Sequence, residues 1–265
     1  MSYVRLFAVL PLLWAGLVQA NPEIQHWRTD NGARVYFVAA PQLPMVDVRV
    51  VFDAGSARDG AKPGLASLTN DMLSQGAGNL DADAIAERFD AVGARFGTQS
   101  HRDMAVVSLR SLTREELLES ALDTLALVLA KPSFPEVALK RERARMLVAL
   151  DQQDQSPGDI AQKALYRAVF KGRPYASPVL GTHESVTALT AADVRTFHRR
   201  YYRARNAVVA IVGDLDPARA KRLAERAVAG LPRGEAAPHL GPVPSRHGAE
   251  RTDTDTPRAR APALS

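Results

Sequence analysis

Between Val46 and Leu73 the hydrophobic period of this chain changes from two to about 3.6, and that change limits what it can fold into. Val46, Val48, Val50 and Phe52 alternate with Asp47 and Arg49, the pattern of a strand with one buried face. The run meets Asp53-Ala54-Gly55-Ser56 and a loop from Gly60 to Pro63. Leu65, Leu68, Met72 and Leu73 then fall on one side of a helix. A strand with one apolar face and a helix with one apolar stripe must cover each other. The stretch Gly64 to Leu73 is therefore predicted as the first turns of a buried helix laid on a sheet.

The flanking chain repeats both signals. Gln25 to Arg28 and Arg34 to Ala39 flank the turn signal Asp30-Asn31-Gly32 and predict an opening β-hairpin. Asp81 and Asp83 are placed to cap a helix over Ala84 to Val92, which Gly93 ends. Strands are predicted over Arg95 to Gln99 and Met104 to Leu109. Thr113, with Glu116 three residues on, predicts a capping box for a helix with a leucine stripe at 118, 122, 125 and 129. After Lys131-Pro132-Ser133-Phe134-Pro135 come a charged helix from Glu136 to about Gln153 and another from Ser156-Pro157 to Phe170. Thr190 caps Ala191 to Tyr202 with Asp193 as the box acid, Asn206 to Gly213 is a buried strand, and Asp216-Pro217 opens a last helix ending near Gly230.

Both ends read differently. Arg5, the apolar run Leu6 to Leu17 and Val18-Gln19-Ala20 form a secretory signal, too short for a bilayer span, so residues 1–20 are expected to be removed. Residues 232–265 carry prolines at 238, 242, 244, 257 and 262 and no apolar period, and are expected to be a linker or disordered tail. Export permits disulfides, yet the chain has no cysteine, which excludes thiol chemistry. The net charge of +5 comes from basic residues scattered among acids, without a basic block interleaved with aromatics. Nucleic acid is thus not an expected partner.

The frame of Gly55-Ser56 and Gly64-Leu65-Ala66, followed by Lys131-Pro132, Glu142-Arg143, Pro174-Tyr175, Gly181-Thr182, Leu189-Thr190, Tyr201-Tyr202 and Val212-Gly213-Asp214, resembles the peptidase M16 family, the insulinase and mitochondrial-processing-peptidase-like proteins. The resemblance implies an α+β domain, a twisted and mostly antiparallel sheet packed with helices, of the LuxS/MPP-like metallopeptidase type. It assigns residues 21–231 to the N-terminal domain of such proteins, with the second M16 domain absent.

In that family the stretch carries the inverted zinc motif H-x-x-E-H, with a third, glutamate ligand on the long charged helix. Placed residue on residue, the histidines become Ser67 and Asp71, the general-base glutamate becomes Asn70, and the third ligand, seven residues after Glu142, becomes Ala149. The resemblance thus implies a metallopeptidase homologue inactive on its own, with the family's zinc lost and no catalytic or metal residue retained. His183-Glu184 opens like a zincin motif but closes on Thr187, and reads as a surface loop. His101 with Asp103 reads as a hairpin turn, and Ser67 as a buried helix serine.

What remains is a job done by shape. The resemblance implies a non-catalytic subunit of the periplasm, pairing as a heterodimer with a motif-bearing M16 peptidase in peptide or protein degradation, without a membrane anchor once the signal is cleaved. Arg95, Phe96, Gly97, Thr98 and Gln99 form the candidate peptide-binding strand. A truncated two-domain protein with no function of its own and a stand-alone peptide-binding scaffold are the alternatives.

Overall fold

The structure is a computed structural model that describes residues 23–241. The predicted signal and residues 242–265 of the predicted tail lie outside the described residues. The chain opens with the hairpin β1 (Gln25–Arg28) and β2 (Arg34–Ala39), and β3 (Met45–Phe52) follows in the expected alternation, with Val46, Val48, Val50 and Phe52 buried. α1 (Leu65–Asp71) runs into a 3₁₀ turn that buries Met72 and Leu73. A two-residue ribbon of β4 (Gly76–Ala77) and β5 (Leu80–Asp81) leads to α2 (Ala82–Asp90), and β6 (Arg95–Ser100) and β7 (Ala105–Leu112) form the next hairpin. Then come α3 (Glu115–Ala130), α4 (Glu136–Asp154), α5 (Pro157–Val169), α6 (His183–Ala188), α7 (Ala191–Tyr201), β8 (Ala207–Gly213) and α8 (Pro217–Val228).

Six strands form one sheet in the order β1-β2-β8-β3-β7-β6. Only β2 and β8 pair in parallel, Val35 opposite Val209 and Phe37 opposite Ile211; the other pairings are antiparallel. This is the predicted α+β class with a mostly antiparallel sheet. The buried face of the sheet carries Val35, Phe37, Val48, Val50, Phe52, Val107, Leu109, Val209 and Ile211. Against it lie α1, α3 and α8, with α7 packed on α1, and Leu118, Leu122, Leu125 and Leu129 of α3 are all buried, each contributing roughly 1.5–3 kcal/mol. The opposite face shows Tyr36, Leu112 and Val212 to solvent, together with a two-toothed ion pair between Arg110 and Asp47.

α1 is fixed at its start by a carboxylate five residues upstream. Gly64, at φ 90°, offers no side-chain cap, and the buried Asp59 accepts the Gly64 and Ala66 N–H groups at 2.8 and 2.7 Å. Burial pushes the Asp59 carboxyl up to about 7, against the pull of those two donors. Gly64 and Gly181 let two loops touch there: a Cβ on Gly64 would lie 2.8 Å from the Leu180 carbonyl oxygen, and one on Gly181 2.4 Å from that of Pro63.

The structure corrects several local expectations. Thr113 does not cap α3: its N–H bonds the Pro44 carbonyl, its carbonyl accepts from Arg219, and Arg114 occupies the cap without a side-chain bond. α2 begins at Ala82, so Asp81 is its cap and Asp83 lies inside its first turn. His183 and Glu184 open the short helix α6 behind a Thr182–Ser185 capping box, not a surface loop. Residues 232–241 form no helix or strand but are fastened. The Pro232 and Arg233 carbonyls accept from the Ala204 and Arg205 N–H groups, the Ala237 N–H donates to Asn206, and Arg58 donates to the Pro238 carbonyl.

His198 of α7 supplies a pH test of this core. Its Nε2–H donates to the Leu129 carbonyl at 2.9 Å, its ring lies between Phe134 and Tyr202, and burial lowers its pKa from 6.5 to about 4. The folded state therefore binds fewer protons than the unfolded chain between those values. The stability from neutral His198 is complete above pH 6.5 and is lost as pH falls towards 4. Asp59 and Asp71, whose carboxyls are raised to about 7 and 6, act in the opposite direction over their own range. His198→Gln keeps a donor for Leu129, so the variant is expected to lack about 2–3 kcal/mol of the wild-type loss between pH 6.5 and 4. Urea unfolding of both proteins at each pH measures it, and parallel curves would refute it.

Candidate functional site

The motif positions sit where α1 crosses the end of the sheet. Helical spacing puts Ser67 and Asp71 one turn apart on the same side, with Asn70 beside them. Ser67 and Asn70 are buried, whereas Asp71 is half-buried. Asn70, fully buried, turns its amide towards the sheet. Its Nδ2 group has three acceptors, the Gln99 carbonyl at 3.0 Å, Ser100 Oγ at 3.3 Å and the Val106 carbonyl at 3.3 Å. Its Oδ1 accepts from the Tyr202 hydroxyl at 3.1 Å. Burial raises the Tyr202 pKa well above 10, so the phenol keeps its proton and remains the donor. At the place where the family motif has a base, this chain thus has a satisfied amide that joins α1, β6, β7 and the end of α7.

Asp71 faces another way. Thr98 Oγ of β6 donates to its carboxylate at 3.3 Å, and Glu142 and Arg145 of α4 are close enough to act on its charge. Its carboxyl is pushed up to about 6, first by burial and then by Glu142, while the Thr98 hydroxyl and Arg145 oppose the rise. Glu142 is itself buried. One oxygen pairs with Arg145 at 2.7 Å, and the other has Arg141 at 3.8 Å and no hydrogen-bond partner among the described residues. Ala149 is half-buried two turns further along α4, roughly 10 Å of helix rise from Glu142.

This donor set does not fit catalytic zinc, which takes three imidazole, thiolate or carboxylate ligands and leaves a position open for water. Ser67 offers a neutral hydroxyl and Ala149 a methyl group, and Glu142, outside the motif positions, is paired through one oxygen with Arg145. Asp71 alone is an ordinary ligand. An amide at position 70 does not titrate near neutral pH and takes no proton from water.

The candidate peptide strand lies next to this centre. β6 is an edge strand, paired on one side with β7, and Thr98 joins it to Asp71. Phe96 stacks on Phe89 of α2 with ring centroids 5.0 Å apart, and beside them Ile85, Ala94 and Arg95 help line a groove of about 580 Å³. Sequence reasoning placed Ser67, Asn70, Asp71 and Thr98 but did not foresee that Glu142, Arg145 and Tyr202 would complete their surroundings. The spacing of Glu142 and Arg145, three apart on a helix, was the available signal. His101 does form the β6–β7 turn, with its N–H bonded to the Met104 carbonyl. His183 pairs with Asp151 at 2.9 Å, away from any metal-ligand cluster among the described residues.

Asn70→Glu alone should destabilise the protein. The carboxylate would face two backbone carbonyls and a serine oxygen in a dry site, at a cost of roughly 3–5 kcal/mol. A fall in melting temperature of many degrees, steeper as pH rises and the glutamate ionises, is expected in thermal scans. An unchanged melting temperature would mean that the amide does not hold the helix to the sheet.

The comparisons with known proteins agree with this geometry. A family model described as insulinase (peptidase family M16) matches residues 34–183, more than half of the chain, and one described as the peptidase M16 inactive domain matches residues 188–261. Subunit 1 of the mitochondrial cytochrome b-c1 complex of Bos taurus is 29% identical over 219 residues, covering 82% of this chain and 45% of that protein. An uncharacterized zinc protease of Rickettsia bellii is 26% identical over 209 residues, covering 78% and 50%. The chain thus spans about half the length of the curated relatives it matches. A solved peptidase M16 inactive domain from Pseudomonas fluorescens has a TM-score of 0.81 at 42% identity, over 83% of this chain and 53% of that one. The first half of the periplasmic protease PqqL from Escherichia coli has a TM-score of 0.77 at 19% identity over 84% and 49%, a likeness of fold alone. From the frame of motif residues, the sheet order and the matched extent, this chain belongs to the peptidase M16 family.

Proposed function

We propose that this chain is a non-catalytic M16 subunit of the periplasm that pairs with an H-x-x-E-H-bearing M16 peptidase and helps it to hold peptides for degradation. The observation that carries the reading is Asn70: the base position is occupied by an amide whose bonds are all spent on the fold. The ligand positions Ser67, Asp71 and Ala149 support it, and so does the likeness to inactive-type M16 domains. In this reading β6, from Arg95 to Gln99, receives extended peptide by strand addition on its open edge, and the partner supplies the chemistry. Zinc, which the family uses, has no role in this subunit.

The test uses the full chain with and without a motif-bearing M16 protein from the same cell. Alone, the chain should retain no stoichiometric zinc after dialysis and show no chelator-sensitive cleavage of an unstructured peptide. Co-purification with the motif-bearing protein, and a melting temperature that rises with its concentration, are expected from mass action. Stoichiometric zinc with chelator-sensitive cleavage by the chain alone would overturn the reading, and so would failure of the two proteins to associate.

The combined variant Ser67→His, Asn70→Glu, Asp71→His and Ala149→Glu should recover zinc before rate, because the groups that orient the ligands would still be missing. Metal analysis and peptide turnover on the folded variant check this. No gain in zinc affinity would show that these four positions do not converge on one centre.

A further inference from the structure

A second cavity, of about 250 Å³, lies away from Asn70 and Asp71, among the β6–β7 turn, the end of α4, α5 and the start of α6. Three basic side chains from two separate segments line it: Arg102 of the turn, and Lys163 and Arg167 of α5. The one carboxylate in the lining, Asp154, is paired with Lys163 at 2.8 Å. Asp151, outside the lining, is engaged with His183, whose other ring nitrogen lies 3.7 Å from Asp154. The acids are thus paired, whereas neither arginine has an ion pair among the described residues.

Arg102 is held in an unusual way. Its guanidinium carbon lies 3.5 Å above the centre of the Tyr166 ring, and its Nε donates to the Tyr175 carbonyl at 3.3 Å. Stacking fixes the plane of the fork, and the Nε bond fixes its rotation about the side chain. Its two terminal nitrogens make no hydrogen bond or ion pair among the described residues, and neither does Arg167. A guanidinium held flat with its fork unspent is pre-organised for a planar or tetrahedral oxyanion, because little side-chain entropy remains to be lost on binding. Ala176, Pro178 and Gly181 close the cavity with small or rigid groups, which leaves room for a group of phosphate size.

We infer that this cavity is a binding site for a compact oxyanion, phosphate or carboxylate in type, gripped by the fork of Arg102 and neutralised by Arg167. Neither the M16 assignment nor the reading of the motif positions enters this inference, and it stands or falls separately from the proposed partnership.

The probe is inorganic phosphate, titrated into the full chain in a buffer free of other oxyanions, with chloride holding the ionic strength constant. Calorimetry should show saturable one-to-one binding. Arg102→Gln and Arg167→Gln should each weaken it by about tenfold or more, as expected when a charge-assisted bond is lost. Arg49→Gln, on the open face of the sheet, should leave it unchanged. Circular dichroism of each variant shows that it is folded, and Arg167, exposed and without structural bonds, keeps the test valid should Arg102→Gln misfold. A blocked tripeptide with a free C-terminal carboxylate, against its C-terminal amide, tells the two sources apart. Competition by the acid alone assigns the site to peptide termini, and no competition by either assigns it to free phosphate. Absence of saturable binding, equal loss with Arg49→Gln, or equal competition by acid and amide would overturn the inference.

Discussion

The arrangement of this molecule depends on one primary amide. Asn70 is the point at which α1, the β6–β7 hairpin and the C-terminal end of α7 meet, and from α1 its side-chain bonds run to the other two. A buried amide without partners would cost a few kcal/mol, whereas a fully bonded one fixes orientation as well as distance. Tyr202 extends the node by packing its ring against Phe52 and His198, so one hydrogen-bonded residue is coupled to the aromatic part of the core. In this chain the motif position belongs to the scaffold.

The charges around α1 are arranged on the same principle. Asp59, buried, and Asp71, half-buried, both have carboxyls raised well above their usual range, but their partners differ. Asp59 meets only backbone N–H groups and serves as the missing cap of α1. Asp71 meets a hydroxyl and shares its surroundings with Glu142, whose charge is answered by arginines on its own helix. The result is a polar interior at the helix start and an acidic, partly neutralised patch at its end.

Much of this was legible in the sequence because it rests on periodicity. The alternation of Val46 to Phe52, the leucine stripe of α3 and the Thr190–Asp193 box all became the elements they suggested. The two-residue strands β4 and β5 and the six-residue α6 were hidden because they are too short to show a period. Thr113 misled because tertiary bonds to Pro44 and Arg219 outweighed a local cap. That positions 67 and 149 carry only a hydroxyl and a methyl group was plain from the sequence. The inward turn of Asn70 and the meeting of Asp71 with Glu142 were not, since both depend on how helices far apart in sequence are laid against each other. Residues 232–241 escaped for a related reason: their attachment is almost entirely by backbone groups, which composition does not report.

The sheet order has a consequence for how the molecule comes together. β8, from Ala207 to Gly213, lies between β2 and β3, so the strand that unites the sheet is made after the other five. Before it arrives, the sheet exists only as two unjoined pieces, the β1–β2 hairpin and the three strands β3-β7-β6, each with an apolar face. Contacts so distant along the chain form late and carry a large loop-closure cost. Assembly of the core is therefore a single event awaiting residues 207–213, and a polypeptide stopped before Ala207 has two half-sheets and no strand between them.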